Sequence, residues 1–109
     1  MSAGHLNDTI VTFRLKRAEQ FARQWRANAR RLQTLANNPR TPPLVRHDAL
    51  TEAQTAASIV GQRANEVAEL ALWRGYTAWE ADPMVGPLVV EIRSVANALT
   101  YAVEALSKQ

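Results

Sequence analysis

Few side chains in this sequence are equipped for catalysis. The chain holds no cysteine and only two histidines, which excludes thiol nucleophiles, disulfides and Cys-based zinc sites. His5 and His47 each lack a clustered acid or base, so both read as ordinary surface residues rather than ligands or general bases. No Ser/His/Asp set can be assembled. The acids show more order: Glu66 and Glu69 lie one helical turn apart, and Glu91 opens a later apolar-periodic segment. Carboxylates spaced in that way can hold a hard divalent cation only if several oxygens converge on one point.

Charge is the stronger signal. The formal net charge is +3, but residues 1–46 carry nine Lys/Arg against two acids, and residues 47–109 carry four against eight. A basic stretch therefore precedes an acidic remainder. Within it Lys16, Arg23 and Arg30 recur every seven residues, and Arg17, Arg26 and Arg31 flank them. Six cations along one helix make a candidate phosphate-binding face, and arginine suits that role through its planar fork. Nucleic-acid readers interleave aromatics or base-reading polar groups with charge, which this face lacks. A solvated helix face is the plainer reading. Arg14 instead falls on the apolar stripe and is expected to pair with Glu80 or Asp82.

The elements that carry these groups follow from periodicity. At 109 residues, with 47% apolar and 6% aromatic content, the chain reads as one all-α domain, residues 1–109, whose alanines favour close helix packing over bulk. Prolines at 39, 42, 43, 83 and 87 cut it into three blocks. The first helix is expected over about 8–37, capped by Asp8 or Thr9. Its buried stripe is Val11, Ala18, Ala22, Trp25, Ala29, Leu32 and Ala36, widened by Phe21 and Leu35. The second is expected over about 48–82, with Thr51-Glu52-Ala53-Gln54 as a capping box for a later start. The third is expected over about 87–107, with Leu88, Ile92, Val95, Leu99, Val103 and Leu106 in 3–4 spacing.

In the second helix Ala57, Ala64, Ala71 and Ala78 fall every seven residues beside Gly61, Ala68 and Gly75. Glycine costs about 1 kcal/mol against alanine inside a helix, so this row is expected to form a seam closely approached by Phe21, Trp25 and the third helix. The outer side of the same helix carries Ile59, Leu70 and Trp73, and Tyr76 and Trp79 follow. Those five residues are the candidate partner-binding surface, because an exposed tryptophan anchors protein interfaces.

Two long helices and a shorter third give an antiparallel three-helix bundle. A third helix of about 30 Å, at 1.5 Å per residue, is expected to leave Leu32, Leu35, Leu50 and Ala53 uncovered. A homodimer completing a larger bundle would cover them. No apolar run is long enough for a membrane span, residues 1–8 lack the pattern of a secretion signal, and the cytoplasm is the expected compartment.

The segments Asn65-Glu66-Val67-Ala68-Glu69-Leu70 and Glu91-Ile92-Arg93-Ser94 bear a faint resemblance to the ExxE and ExxD pairs of all-helical MazG-like nucleotide pyrophosphohydrolases. That resemblance implies magnesium-dependent hydrolysis, but Ser94 stands where the second pair needs an aspartate. The sequence is therefore read first as a non-enzymatic helical interaction module that binds a protein partner, without cofactor or metal. Nucleic-acid binding through the first helix ranks second, and the hydrolase a distant third.

Overall fold

Helices separated by tight, proline-marked turns build the whole of the described chain. The computed structural model describes residues 2–108, with side chains described from residue 8. Helix α1 spans Ser2–Asn37, α2 spans Pro43–Trp73 and α3 spans Val85–Ser107, with a short 3₁₀ turn at Trp79–Ala81. No strand occurs among the described residues. Helix α2 runs antiparallel to α1: Arg63 of α2 lies over Phe21 of α1, and Arg31 of α1 pairs with Glu52 of α2. Helix α3 runs parallel to α1, since Arg26 and Gln33 reach Glu91 and the Ala98 carbonyl in turn. The product is a rod with extents of 60 × 20 × 16 Å.

The apolar stripes expected on α1 and α3 form the core, whereas of the small-residue row expected to form a seam on α2 only Ala64 and Ala71 are buried. On α1 Val11, Ala18, Ala22, Ala29 and Leu32 are buried, and Phe21, Trp25, Leu35 and Ala36 pack against them. Leu15 joins this stripe and was not foreseen. On α3 the expected Leu88, Ile92, Val95, Leu99 and Leu106 are buried, together with Val85 and Val89. Helix α2 contributes Ala49, Ala53, Ala56, Val60, Ala64, Val67, Leu70 and Ala71. Alanine on α2 facing branched aliphatics on α3 lets the two helices pack closely with little side-chain bulk.

Several boundaries differ from the sequence expectation. Helix α1 starts at Ser2, so Asp8 and Thr9 lie inside it and are not caps. Helix α2 starts at Pro43, not near residue 48. A proline there forfeits only an N–H that has no intrahelical partner anyway, and its φ is already helical. Thr51-Glu52-Ala53-Gln54 is consequently helix interior.

The largest correction lies at the other end of α2, which stops at Trp73 rather than residue 82. Gly75 takes φ +91°, the left-handed conformation that suits glycine after a helix. The Gly75 and Tyr76 N–H groups donate back to the carbonyls of Leu72 and Ala71, at 3.1 and 2.9 Å. That pair of bonds is a Schellman closure. Gly75 and Ala78 therefore lie outside α2 and outside any seam.

Close approach occurs at another glycine. A methyl group at Gly61 would meet nothing within 4 Å, whereas one at Gly86 would sit 3.3 Å from the carbonyl oxygens of Trp79 and Glu80. The turn before α3 thus lies directly on the first turn of that helix.

Buried polar groups sit at the two connections. At one end Thr41 donates its hydroxyl to the Leu35 carbonyl at 2.9 Å. Arg46 donates to the carbonyls of Ala36 and Ala105, both at 3.3 Å. One cation thereby serves the C-terminal carbonyls of α1 and α3, where helix dipoles favour positive charge.

At the other end Asp82 is fully buried, at 0% exposure. It accepts hydrogen bonds from Arg74 Nε at 2.8 Å and from the Met84 and Val85 N–H groups at 2.9 and 3.2 Å. Burial pushes its carboxyl upward, but the Arg74 bond and the two backbone N–H groups outweigh burial and hold it below the usual carboxylate range. The same contact raises Arg74.

Because α2 stops early, the Arg74–Asp82 turn brings α3 back far enough to reach the opposite end. Leu32 and Ala53 are each 0% exposed there. The end expected to lie open is covered within one chain, and that argument for a dimer falls away.

Two predictions follow from these contacts. Replacing Asp82 by Asn leaves Arg74 and the α3 N–H groups poorly matched and costs about 2–4 kcal/mol, read from urea unfolding at pH 7. A depressed folded-state pKa stabilises above the unfolded value of about 4 and loses that contribution as pH falls through the folded value. Acid should therefore erode wild-type stability more than that of Asp82→Asn; equal erosion would refute the coupling. Gly61→Ala should raise stability by about 0.5–1 kcal/mol, while Gly86→Ala should lower it, since backbone carbonyls must move. Thermal melts of the two variants read both signs.

Candidate functional site

The aromatic segment after α2 divides into a supporting part and a presenting part. Tyr76 and Trp79 are partly buried and pack on the core. The guanidinium of Arg93 covers the Trp79 ring at 4.9 Å, and Arg74 lies 5.9 Å from the Tyr76 ring. Both rings support the turn and keep part of their surface accessible. The expectation for Leu70 is revised: at 5% exposure it is a core residue, because its position on α2 falls beside Val67 and Ala71 rather than on the outer row.

Trp73 is different. It is 57% exposed at the last residue of α2, next to Leu72 at 63%. Ile59 is exposed on the same side of α2 as Trp73, fourteen residues earlier, an interval that returns to nearly the same helix face. The Schellman closure and the Arg74–Asp82 pair hold the helix end beneath Trp73, so the indole stands on a well-braced element.

Beside this surface, α1 and α2 enclose an open groove of about 420 Å³. Ala18, Val67 and Leu70 form its apolar floor, and Phe13, Arg14, Arg17, Arg63 and Glu66 form its walls. Arg17 lies over Phe13 at 5.7 Å and Arg63 over Phe21 at 4.7 Å. Arg63 also pairs with Glu66 at 3.5 Å. Arg14 lines this groove and is exposed; of the two acids expected to pair with it, Glu80 and Asp82, the latter is held by Arg74. The groove has no simple sequence signature, because it joins residues some fifty positions apart.

The six candidate phosphate-binding cations of α1 have different surroundings. Arg26 reaches Glu91 at 3.8 Å, and Arg31 is engaged by Glu52 and by Asn28. Arg17 belongs to the groove. Lys16, Arg23 and Arg30 remain exposed along one row. The glutamates of the pyrophosphohydrolase resemblance are also dispersed: Glu66 pairs within α2 and Glu91 across to α1. No group of three His, Asp or Glu side chains placed to hold a metal occurs among the described residues. His47 is exposed, while His5 lies outside the residues whose side chains are described. No described helix is long and apolar enough to cross a membrane.

No protein-family model, curated protein or solved structure matches this chain. The site therefore rests on its own geometry. Trp73→Ala should change unfolding free energy by less than about 1 kcal/mol, as expected for a largely exposed side chain. A loss of several kcal/mol in urea unfolding would instead make Trp73 part of the core.

Proposed function

We propose that this chain is a non-enzymatic helical interaction module that binds another protein through Trp73, with Leu72 adjoining it at the helix end and Ile59 about 21 Å along the same side of α2. The observation that carries this reading is the exposure of a tryptophan on a helix end braced from below by the Schellman closure and the buried Asp82. Tryptophan offers a large contact area at little entropic cost, and desolvating it in a partner pocket is a common source of binding energy. Placement on a rigid element lowers the ordering cost of association. The excess of positive charge along α1 would speed encounter with acidic partners.

A second copy is the first partner to test, because an exposed apolar patch can be covered by its own symmetry mate. Light scattering coupled to size exclusion reads this directly. If the partner is a second copy, wild type runs as a dimer and Trp73→Ala as a monomer. If it is a foreign chain, a photo-crosslinker replacing Trp73 should mark one protein. The complex rebuilt from purified components should then fail with Trp73→Ala. Crosslinks spread equally from position 73 and a distant exposed position such as Arg40, in the connection at the opposite end of the rod, would sink the proposal.

Nucleic-acid binding stays as a second reading because Lys16, Arg23 and Arg30 stay exposed in one row. It requires retention on a short duplex at low salt, steep loss as salt rises, and abolition by Arg23→Glu with Arg30→Glu. Unchanged behaviour in that pair of variants removes it.

A further inference from the structure

The groove between α1 and α2 is not explained by the core or by the exposed row of α1. Its lining residues all come from those two helices. Three guanidinium groups, of Arg14, Arg17 and Arg63, stand around an aliphatic floor with the single carboxylate of Glu66. Arg17 and Arg63 each lie over a phenylalanine ring. A guanidinium held by its face can still offer N–H groups to a carboxylate; Arg63 already shares its Nε with Glu66 at 3.5 Å, so a partner carboxylate competes there with Glu66. The site thus combines a net positive rim with one exposed apolar wall, Phe13, above side chains that are already buried.

Leu70 of the floor lies one helical turn before Trp73, so a segment seated in the groove continues onto the indole. Resting on the reading of Trp73 as a protein anchor, we infer that the groove receives an acidic segment of that partner. Its carboxylates meet Arg17 and Arg63, and a bulky apolar side chain packs on Phe13, which is 59% exposed, over the buried Ala18, Val67 and Leu70. A phosphate backbone fits less well. It carries charge at every nucleotide, would leave the exposed Phe13 ring wet and would bring a phosphate against Glu66. The partner segment is then the amphipathic helix-in-groove kind, with acid and apolar groups one turn apart.

The test is selection of a random peptide library, about 16 residues long to allow some four helical turns, on the full chain. The Arg17→Glu/Arg63→Glu double variant serves as counter-target. Enriched peptides should pair Asp or Glu with Leu, Ile, Phe or Trp within one helical turn. A synthetic representative should bind the double variant about tenfold or more weakly, and lowering the salt should tighten binding to wild type but not to the double variant. Arg23→Glu, whose charge lies outside the groove, should raise Kd by no more than about twofold, through slower encounter alone. Glu66→Gln should tighten binding by about threefold, since it removes the one opposing charge and releases Arg63.

Far-UV circular dichroism and melting check the fold, and Arg17→Gln/Arg63→Gln replaces the double variant if reversal unfolds it. Library output without acidic bias overturns the inference, as does equal weakening by Arg23→Glu. Tighter binding of a short duplex, lost in the same double variant, makes the occupant nucleic acid. A wild-type dimer that dissolves in the double variant makes it a second copy. If Trp73→Ala abolishes the rebuilt partner complex while the double variant keeps it, the groove assignment fails and the Trp73 reading stands.

Discussion

One buried carboxylate determines how the two ends of this bundle meet. Asp82 has no access to solvent, and its two oxygens are divided between the Arg74 side chain and the opening N–H groups of α3. A buried charge is tolerable only when paired and hydrogen-bonded. Once Asp82 is satisfied in this way, the position of Arg74 just past α2 and the start of α3 are linked. The turn between them has little freedom left, and Gly86 allows its carbonyls to press onto α3.

The register of α3 follows. Had α2 continued to residue 82, α3 would begin farther along the rod and leave the opposite end bare. Ending α2 at Trp73 instead brings the C-terminus of α3 level with the α1–α2 connection. Arg46 there binds carbonyls from both α1 and α3. The two connections thus use opposite charges: an acid at the N-terminus of α3, and a base where two helix C-termini converge. Both placements agree with the helix dipole. Between them the interior is aliphatic and largely alanine on α2, so the helices approach closely and the rod stays thin.

This arrangement also decides which side chains can meet a partner. The turn that satisfies Asp82 draws Tyr76 and Trp79 against the core and leaves Trp73 outside. The α1–α2 groove opens next to it because no α3 side chain lines that space. The functional proposal therefore grows from the same constraint as the fold: a rigid end with one exposed indole, beside a cationic groove with an apolar floor.

The sequence by itself determined the class of fold and most of the buried positions. Spacings of three and four residues on 11–36 and 88–106 leave little choice of face, because a helix repeats every 3.6 residues. It also determined the charge asymmetry and the absence of thiol chemistry. What only the tertiary structure decided was where α2 stops, and with it the roles of the aromatic residues. Trp73-Arg74-Gly75-Tyr76 continues the helical pattern as well as it ends it; an Ala-rich row and a glycine in register read alike as seam or as terminus. The choice went to termination because Gly75 can take the left-handed conformation and Arg74 then finds Asp82, eight residues on. That pairing is non-local, as are the Arg46 clamp and the Arg17–Arg63 groove. Residue periodicity reports which side of a helix is apolar, but not which distant polar group will complete a buried charge.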